Sequence, residues 1–475
     1  MLIAGVTAYL VVTLLIGFWA SRRVRDHRDF ALAGKHLSYF MATSTVFATW
    51  FGSETILGSS ANFVSDGFSG VIEEPFGAAL CLILVGAFFA RGLYRMNLTT
   101  FGDFFRVRFG LQAEVVSSVV LVFSYVSWVA AQFLALGIVF HTVTGLPLEF
   151  SIVSMSVLVT LYTTMGGMWA VSLTDTLQMG LIIAGLAAVF GYLLQQAGGW
   201  NSVLAQVPAS HFSLLPQGKV SWLEYASLWM VIGLGSIPGQ DVFQRVMSSR
   251  NERVAAVSSM VAGFLYLTVA MVPLFLGLVA VRLLSKGELP QDMQFLLPQL
   301  IQLKTPVWVQ IVFFGALISA ILSTASGALL APSVLVSENL LAKIVRDEKK
   351  LLFLSRVSTI AIAAWALQMT LAHRHIHNLV TESSAIGLVA LLLPFLFGYY
   401  ARRHNPYTAV SSMLLGFVAW QLWPFIVLQF SQNAGQVPAV IAGLIGSALP
   451  YALDYTGRLL VLALRRWRAA EKRVA

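Results

Sequence analysis

The sequence predicts an all-α integral membrane fold, and three observations carry that prediction. Hydrophobic residues make up 58% of the 475 positions and charged residues 11%, where a soluble domain carries about 25% charge. Mean hydropathy is +0.79. Apolar runs near the ~20 residues needed to cross a bilayer recur from end to end. About thirteen transmembrane helices are expected, at 2–21, 39–63, 70–92, 114–141, 148–165, 169–195, 222–246, 254–284, 307–341, 352–373, 377–400, 408–431 and 437–464.

The first run is long and is followed, not preceded, by Arg22, Arg23 and Arg25, so it reads as a span and not as a cleaved leader. The second is interrupted by Thr49-Trp50-Phe51-Gly52-Ser53-Glu54-Thr55. It opens a set of five runs that ends at 195. The seventh run is interrupted again, by Gly233-Leu234-Gly235-Ser236-Ile237-Pro238-Gly239-Gln240, and opens a second set of five. An odd number per set inverts one set relative to the other, which is the LeuT-type arrangement of inverted repeats with paired broken helices. Unwound backbone at membrane depth is tolerated where it is buried in protein or lines a cavity. Gly and Pro also serve helix packing alone, so it is the matching position of the two breaks that favours a site. The expected units within one domain, 1–475, are an extra N-terminal helix and loop (1–37), a first repeat (38–221), a second repeat (222–400), and two extra helices with a basic tail (401–475).

A net charge of +9 raises nucleic acid as a partner, but the placement of the charge argues against it. With the N-terminus outside, 25 of the 30 Lys and Arg fall in inside segments, and Lys219, Arg282, Lys286, Lys304 and Arg374 remain outside. This is the positive-inside pattern. It puts the C-terminus in the cytoplasm and the lipid bilayer, expected to be the plasma (inner) membrane, around the helices. The basic tail, with Arg465, Arg466, Arg468, Lys472 and Arg473, has lipid headgroups as a minor option. Cys81 is the single cysteine and lies in a span, so no intrachain disulfide forms. No connection is long enough for a soluble domain, and 288–306 reads as a short surface or re-entrant helix.

Several constellations are candidates for chemistry. Ser323 and Thr324 lie mid-span beside Ala320, Ser326 and Gly327, and adjacent hydroxyls with freed carbonyls suit a hard cation. Such hydroxyls also bond back to their own helix. Asp175 is an ionisable residue inside a span, which makes it a functional candidate or a helix-end or gate residue. Glu54 sits in the first break, with Trp50 one turn earlier and Trp128 in another span. Rings and a carboxylate suit an ammonium group, although Trp also packs helices and forms interfacial belts. Glu73-Glu74-Pro75 reads as a favourable helix start. Asp241 and Arg245 have pairing spacing. His373, His375 and His377 read as an exposed cluster. There is no nucleophile–base set, phosphate-cradling loop or zinc spacing, so an enzyme is not expected.

The chain resembles the sodium/solute symporter family, which includes sodium-coupled proline, sugar, sialic acid and choline transporters, over nearly its whole length. The likeness is strongest in Gly166-Gly167-Met168-Trp169-Ala170-Val171-Ser172-Leu173-Thr174-Asp175-Thr176-Leu177-Gln178, and also strong in Ile237-Pro238-Gly239-Gln240-Asp241-Val242-Phe243-Gln244-Arg245-Val246 and Ala320-Ile321-Leu322-Ser323-Thr324. Ala48-Thr49-Trp50 is most similar to the choline-type branch. The resemblance implies sodium as the coupling ion, held by the carbonyls of Ala48, Phe51 and Ala320 and the hydroxyls of Ser323 and Thr324. A second sodium in some relatives would use Asp175, Ser323, Ser326 and a hydroxyl where this chain has Gly327. Trp50 and Trp128 match two rings of a choline cage, Gly239 stands in place of a Trp, Ala78 in place of a Tyr, and Glu54 in place of a small residue. The implied function is sodium-coupled import of a small organic solute, an amine- or ammonium-bearing one being favoured over choline itself. A proton-coupled carrier using Glu54 or Asp175, or a sensor that binds solute without moving it, are the alternatives.

Overall fold

A computed structural model of the chain describes every residue except 23–26, 206, 217–220, 346, 402–404, 431–436 and 475. Among the described residues the chain is helical with no strand, and its one extended contact is an isolated bridge between Leu37 and Ser249. Arg23, Arg25, Lys219, Arg346, Arg402 and Arg403 lie outside the described residues, as do the side chains of the tail Arg465, Arg466, Arg468, Lys472 and Arg473.

Ten helices among the described residues are long and apolar enough to cross a bilayer. The sequence suggests about thirteen, and the ten leave aside the first run and the two interrupted ones. The first run forms the helix Leu2–Ser21. The two interrupted runs are cut into pieces of 12, 14 and 9 residues, Tyr39–Trp50, Trp222–Gly235 and Gln240–Ser248. Residues 39–95 separate into two segments where Gly67 takes φ 67° and Glu74 leaves helical geometry at φ −140°, ψ 110°.

Both breaks fall where the residue types place them. Tyr39–Trp50 starts on Ser38, whose hydroxyl accepts from the Met41 amide, and stops at Phe51, which has φ −79° and ψ 81°. Gly52 and Ser53 follow, and helix resumes over Glu54–Gly58 and Ser59–Asp66. In the second repeat Trp222–Gly235 gives way at residues 236–239, and Gln240–Ser248 restarts from an extended Gly239.

The centre is the helix Val307–Leu335, packed against Tyr39–Trp50, Leu111–Thr144 and Leu148–Gln196. Residues 316–335 are buried without exception. Their small side chains, among them Ser319, Ala320, Ser323, Thr324, Ala325, Ser326 and Gly327, let neighbouring helices come close. A second close approach lies within the second repeat. A Cβ on Gly387 would lie 2.3 Å from the Gly235 carbonyl oxygen, and one on Gly235 would lie 2.4 Å from that of Ser384. The two C-terminal helices, Pro406–Phe430 and Ala439–Val474, pack chiefly on each other.

The connection 285–306 contains the expected short helix, Leu296–Lys304, which buries Leu296, Leu297, Leu300 and Ile301. Glu288 ties it down, accepting from Lys304 at 2.8 Å and from the Ser285 amide at 2.8 Å, and these bonds hold its carboxyl down at about 2.

The 49-residue helical stretch Leu148–Gln196 bends at Gly167, which has φ 50° and ψ −148°. A Cβ there would lie 2.5 Å from the Phe30 ring and 2.7 Å from its carbonyl oxygen. Gly167→Ala combines a left-handed backbone with a clash, so a loss of about 1–3 kcal/mol is expected. Thermal unfolding in detergent checks this, with Gly180→Ala, which meets nothing within 4 Å, expected to unfold at or above the wild-type temperature.

Candidate ion and solute site

The first break brings unsatisfied backbone to the Val307–Leu335 helix. The Ala48 carbonyl oxygen lies 3.2 Å from Ser323 Oγ and 3.1 Å from Thr324 Oγ1. Thr324 Oγ1 is also 3.1 Å from the Ala320 carbonyl oxygen. Gly52 covers this group so closely that a Cβ on it would lie 2.5 Å from Thr324 Oγ1. Phe51 is fully buried at the break. Four of the five expected ligand residues, Ala48, Ala320, Ser323 and Thr324, therefore meet through oxygen atoms, and Phe51 ends the same helical turn.

Asp175 stands behind this group. It is fully buried, accepts from Thr45 Oγ1, and accepts from Ser323 Oγ at 2.5 Å. A hydroxyl has one proton. With that proton directed at Asp175, the Ser323 lone pairs are free for another partner. Ser326 turns away and donates to the Ser323 carbonyl at 2.9 Å. At Gly327 a Cβ would lie 2.4 Å from Arg245 Nη2, so the guanidinium fills the space a hydroxyl-bearing side chain would need.

Next to the candidate ion group is a cavity. Both breaks line it, through Trp50, Gly52, Ser53 and Glu54 on one side and Ser236, Pro238, Gly239 and Asp241 on the other. The Leu111–Thr144 helix presents Tyr125, Trp128 and Gln132, and the Tyr125 and Trp128 ring centroids are 5.7 Å apart. Asp241 organises the wall. It accepts from Trp50 Nε1 at 2.7 Å and from the Tyr125 hydroxyl, and its own amide donates back to that hydroxyl at 2.9 Å. A Cβ at Gly239 would lie 2.8 Å from Asp241 Oδ1. A bulky ring at 239 and this arrangement of Asp241 exclude one another. Ala78 is buried outside the lining.

Three expectations are sharpened by the structure. Arg245 is 1% exposed. Its Nη1 donates to the Asp241 carbonyl oxygen at 3.0 Å and not to the carboxylate, which Trp50 and Tyr125 already engage. Glu73 and Glu74 do stand in the first turn of a short helix, Ile72–Gly77, but each is only 5% exposed, and Glu74 lines the cavity. His377 does not belong to an exposed cluster: its Nδ1 lies 2.7 Å from Glu54 Oε1. Glu54 does face the cavity, but with a partner.

Gln132, Tyr125, Thr45 and Glu74 escaped the sequence reading as site residues. Gln132 Oε1 accepts from the Ser53 amide at 3.2 Å and so anchors the first break. A signal existed: Leu121, Ser124, Tyr125, Trp128 and Gln132 recur at helical spacing and share one wall of the cavity.

A profile of the Sodium:solute symporter family matches residues 30–416. The High affinity choline transporter 1 of Homo sapiens is 26% identical over 439 residues, covering 87% of this chain and 75% of that one. The Sodium/pantothenate symporter of Escherichia coli (strain K12) is 24% identical, covering 96% of this chain and 98% of that one. A Na+-coupled sialic acid symporter in its substrate-bound outward-open state superposes with a TM-score of 0.79 at 20% identity, covering 94% of this chain and 97% of that one. The fold is thus the LeuT-type one expected.

Tyr125→Phe removes both hydrogen bonds with Asp241 and leaves a buried amide and carboxylate oxygen short of partners. A loss of about 1–3 kcal/mol is expected, seen as earlier denaturant unfolding; an unchanged midpoint would mean that the Asp241 wall is not held this way.

Proposed function

We propose that this chain, which belongs to the sodium:solute symporter family and moves solute together with sodium by alternating access, takes a small organic cation bearing an amine or ammonium group. The cavity wall carries the reading. It holds Glu54, Glu74 and Asp241, has no Lys, Arg or His among its described lining residues, and sets these carboxylates beside Trp50, Tyr125 and Trp128. Carboxylates raise the local concentration of cations, and aromatic faces hold an ammonium by cation–π attraction. Gly239 and Glu54 make this cavity smaller in rings and richer in charge than a full aromatic cage, which favours an amine over choline.

Sodium in this reading binds the carbonyls of Ala48, Phe51 and Ala320 and the hydroxyls of Ser323 and Thr324. Asp175 positions Ser323 by accepting the hydrogen bond its hydroxyl donates. The same turn of chain, Gly52 and Ser53, borders both the ion group and the cavity. Sodium that orders this turn lowers the ordering cost left for the solute, and that shared cost is a coupling free energy. The lack of a hydroxyl at Gly327, with Arg245 pressed against it, supports one sodium per cycle. Carrying one charge through 100 mV is worth about 2.3 kcal/mol, or roughly 50-fold accumulation at about 1.4 kcal/mol per tenfold. The charge asymmetry supports a plasma-membrane location with the N-terminus outside and the C-terminus in the cytoplasm.

Two measurements test the reading. Sodium, unlike equimolar potassium, is expected to raise the melting temperature, and Ser323→Ala with Thr324→Ala to remove that rise; identical curves in both salts would sink the ion site. In sodium, a panel of small amines and quaternary ammonium compounds is expected to shift melting and to drive counterflow in proteoliposomes. Trp50→Ala and Glu74→Gln should each weaken the effect by about 5- to 30-fold, since one lost cation contact is worth roughly 1–2 kcal/mol. Responses confined to neutral or anionic solutes would overturn the cation assignment.

A further inference from the structure

Beside the central cavity lies a second, more open one, lined by Gly58, Asn62, Asp292, Gln294, His375 and His377 among others. No residue lines both cavities. Glu54 borders the first and His377 the second, and their 2.7 Å contact is part of the partition between them.

Three carboxylates crowd this partition. Glu54, Glu73 and Glu74 are each 5% exposed. His377 Nδ1 meets Glu54 Oε1, and Nε2 lies 3.6 Å from Glu73 Oε2. Thr381 donates to Glu73 Oε2 at 3.0 Å and Thr55 to Glu74 Oε1 at 2.9 Å. One oxygen is left over: Glu54 Oε2 is buried without a hydrogen-bond partner, and it lies against Gly58, where a Cβ would be 2.4 Å away. Gly58 lines the second cavity. Even with a cationic imidazole, the cluster holds more carboxylates than cations. Like charges at this range in a low-dielectric site require a further proton or cation.

We propose that Glu54, Glu73 and Glu74 form a cation site between the two cavities, that the His377 imidazole is its tethered occupant, and that an incoming organic cation displaces this imidazole to reach the central cavity. His377 is then a specificity-determining residue: it closes the passage to solutes that cannot replace its charge. The proposal rests on the central cavity being the solute site, and its test needs no identified solute.

Ser384 lines the central cavity and Cys81 is buried. A cysteine introduced by Ser384→Cys can be modified in detergent micelles with a trimethylammonium or a sulfonate methanethiosulfonate reagent. With His377 in place, slow modification is expected, the cationic reagent being the faster. His377→Ala should speed both at least tenfold. His377→Gln, which keeps size and a hydrogen bond but no charge, should be fast as well. Thermal unfolding before labelling establishes that each variant is folded, and Glu54→Gln replaces any that is not, with fast modification expected. Unchanged rates in His377→Ala overturn the proposal. Fast His377→Ala with slow His377→Gln overturns the charge-based part, because bulk alone would then close the passage. If the solute panel responds only to neutral or anionic compounds while His377→Ala still speeds labelling, the passage stands and the cation function fails.

Discussion

Every backbone group freed at the first break must find a partner, because lipid supplies none. The chain meets this demand almost residue by residue. The Phe47 carbonyl takes the Phe51 amide at 2.9 Å. The Ala48 carbonyl meets Ser323 and Thr324. The Trp50 carbonyl is approached by Thr55 at 3.4 Å and by the Tyr266 hydroxyl at 3.5 Å. The Ser53 amide reaches Gln132. These partners come from four different helices, so the break is where the two repeats are tied together. The ion group and the solute cavity are two sides of that tie.

Much of this was legible in residue types. Gly52 and the Gly/Pro run at residues 233–239 announce interruptions because helical hydrogen bonding fails there. The hydroxyl pair Ser323 and Thr324 is the only adjacent Ser/Thr pair in the helix Val307–Leu335. The segments that were less legible share a cause. A buried ion pair between distant segments leaves no local trace, so His377 and Glu54, more than three hundred positions apart, read as unrelated. Arg245 looked like one more basic residue beside a cytoplasmic loop, since spacing cannot distinguish a buried guanidinium from an exposed one.

The distribution of charge follows a common logic. Isolated charges inside a membrane protein are expensive, and those retained are paired or functional. Asp175 is embedded in hydroxyls, Asp241 in an indole and a phenol, and the three glutamates at the partition share one imidazole.

The approach of Gly235 to Gly387 has a mechanical consequence. Where main chain rests on main chain, there are no interlocking knobs to lift over one another. The helix ahead of the second interruption and its neighbour therefore form a smooth bearing. A rocking movement that begins at the ion can pass through this joint by slippage, without repacking side chains along the way.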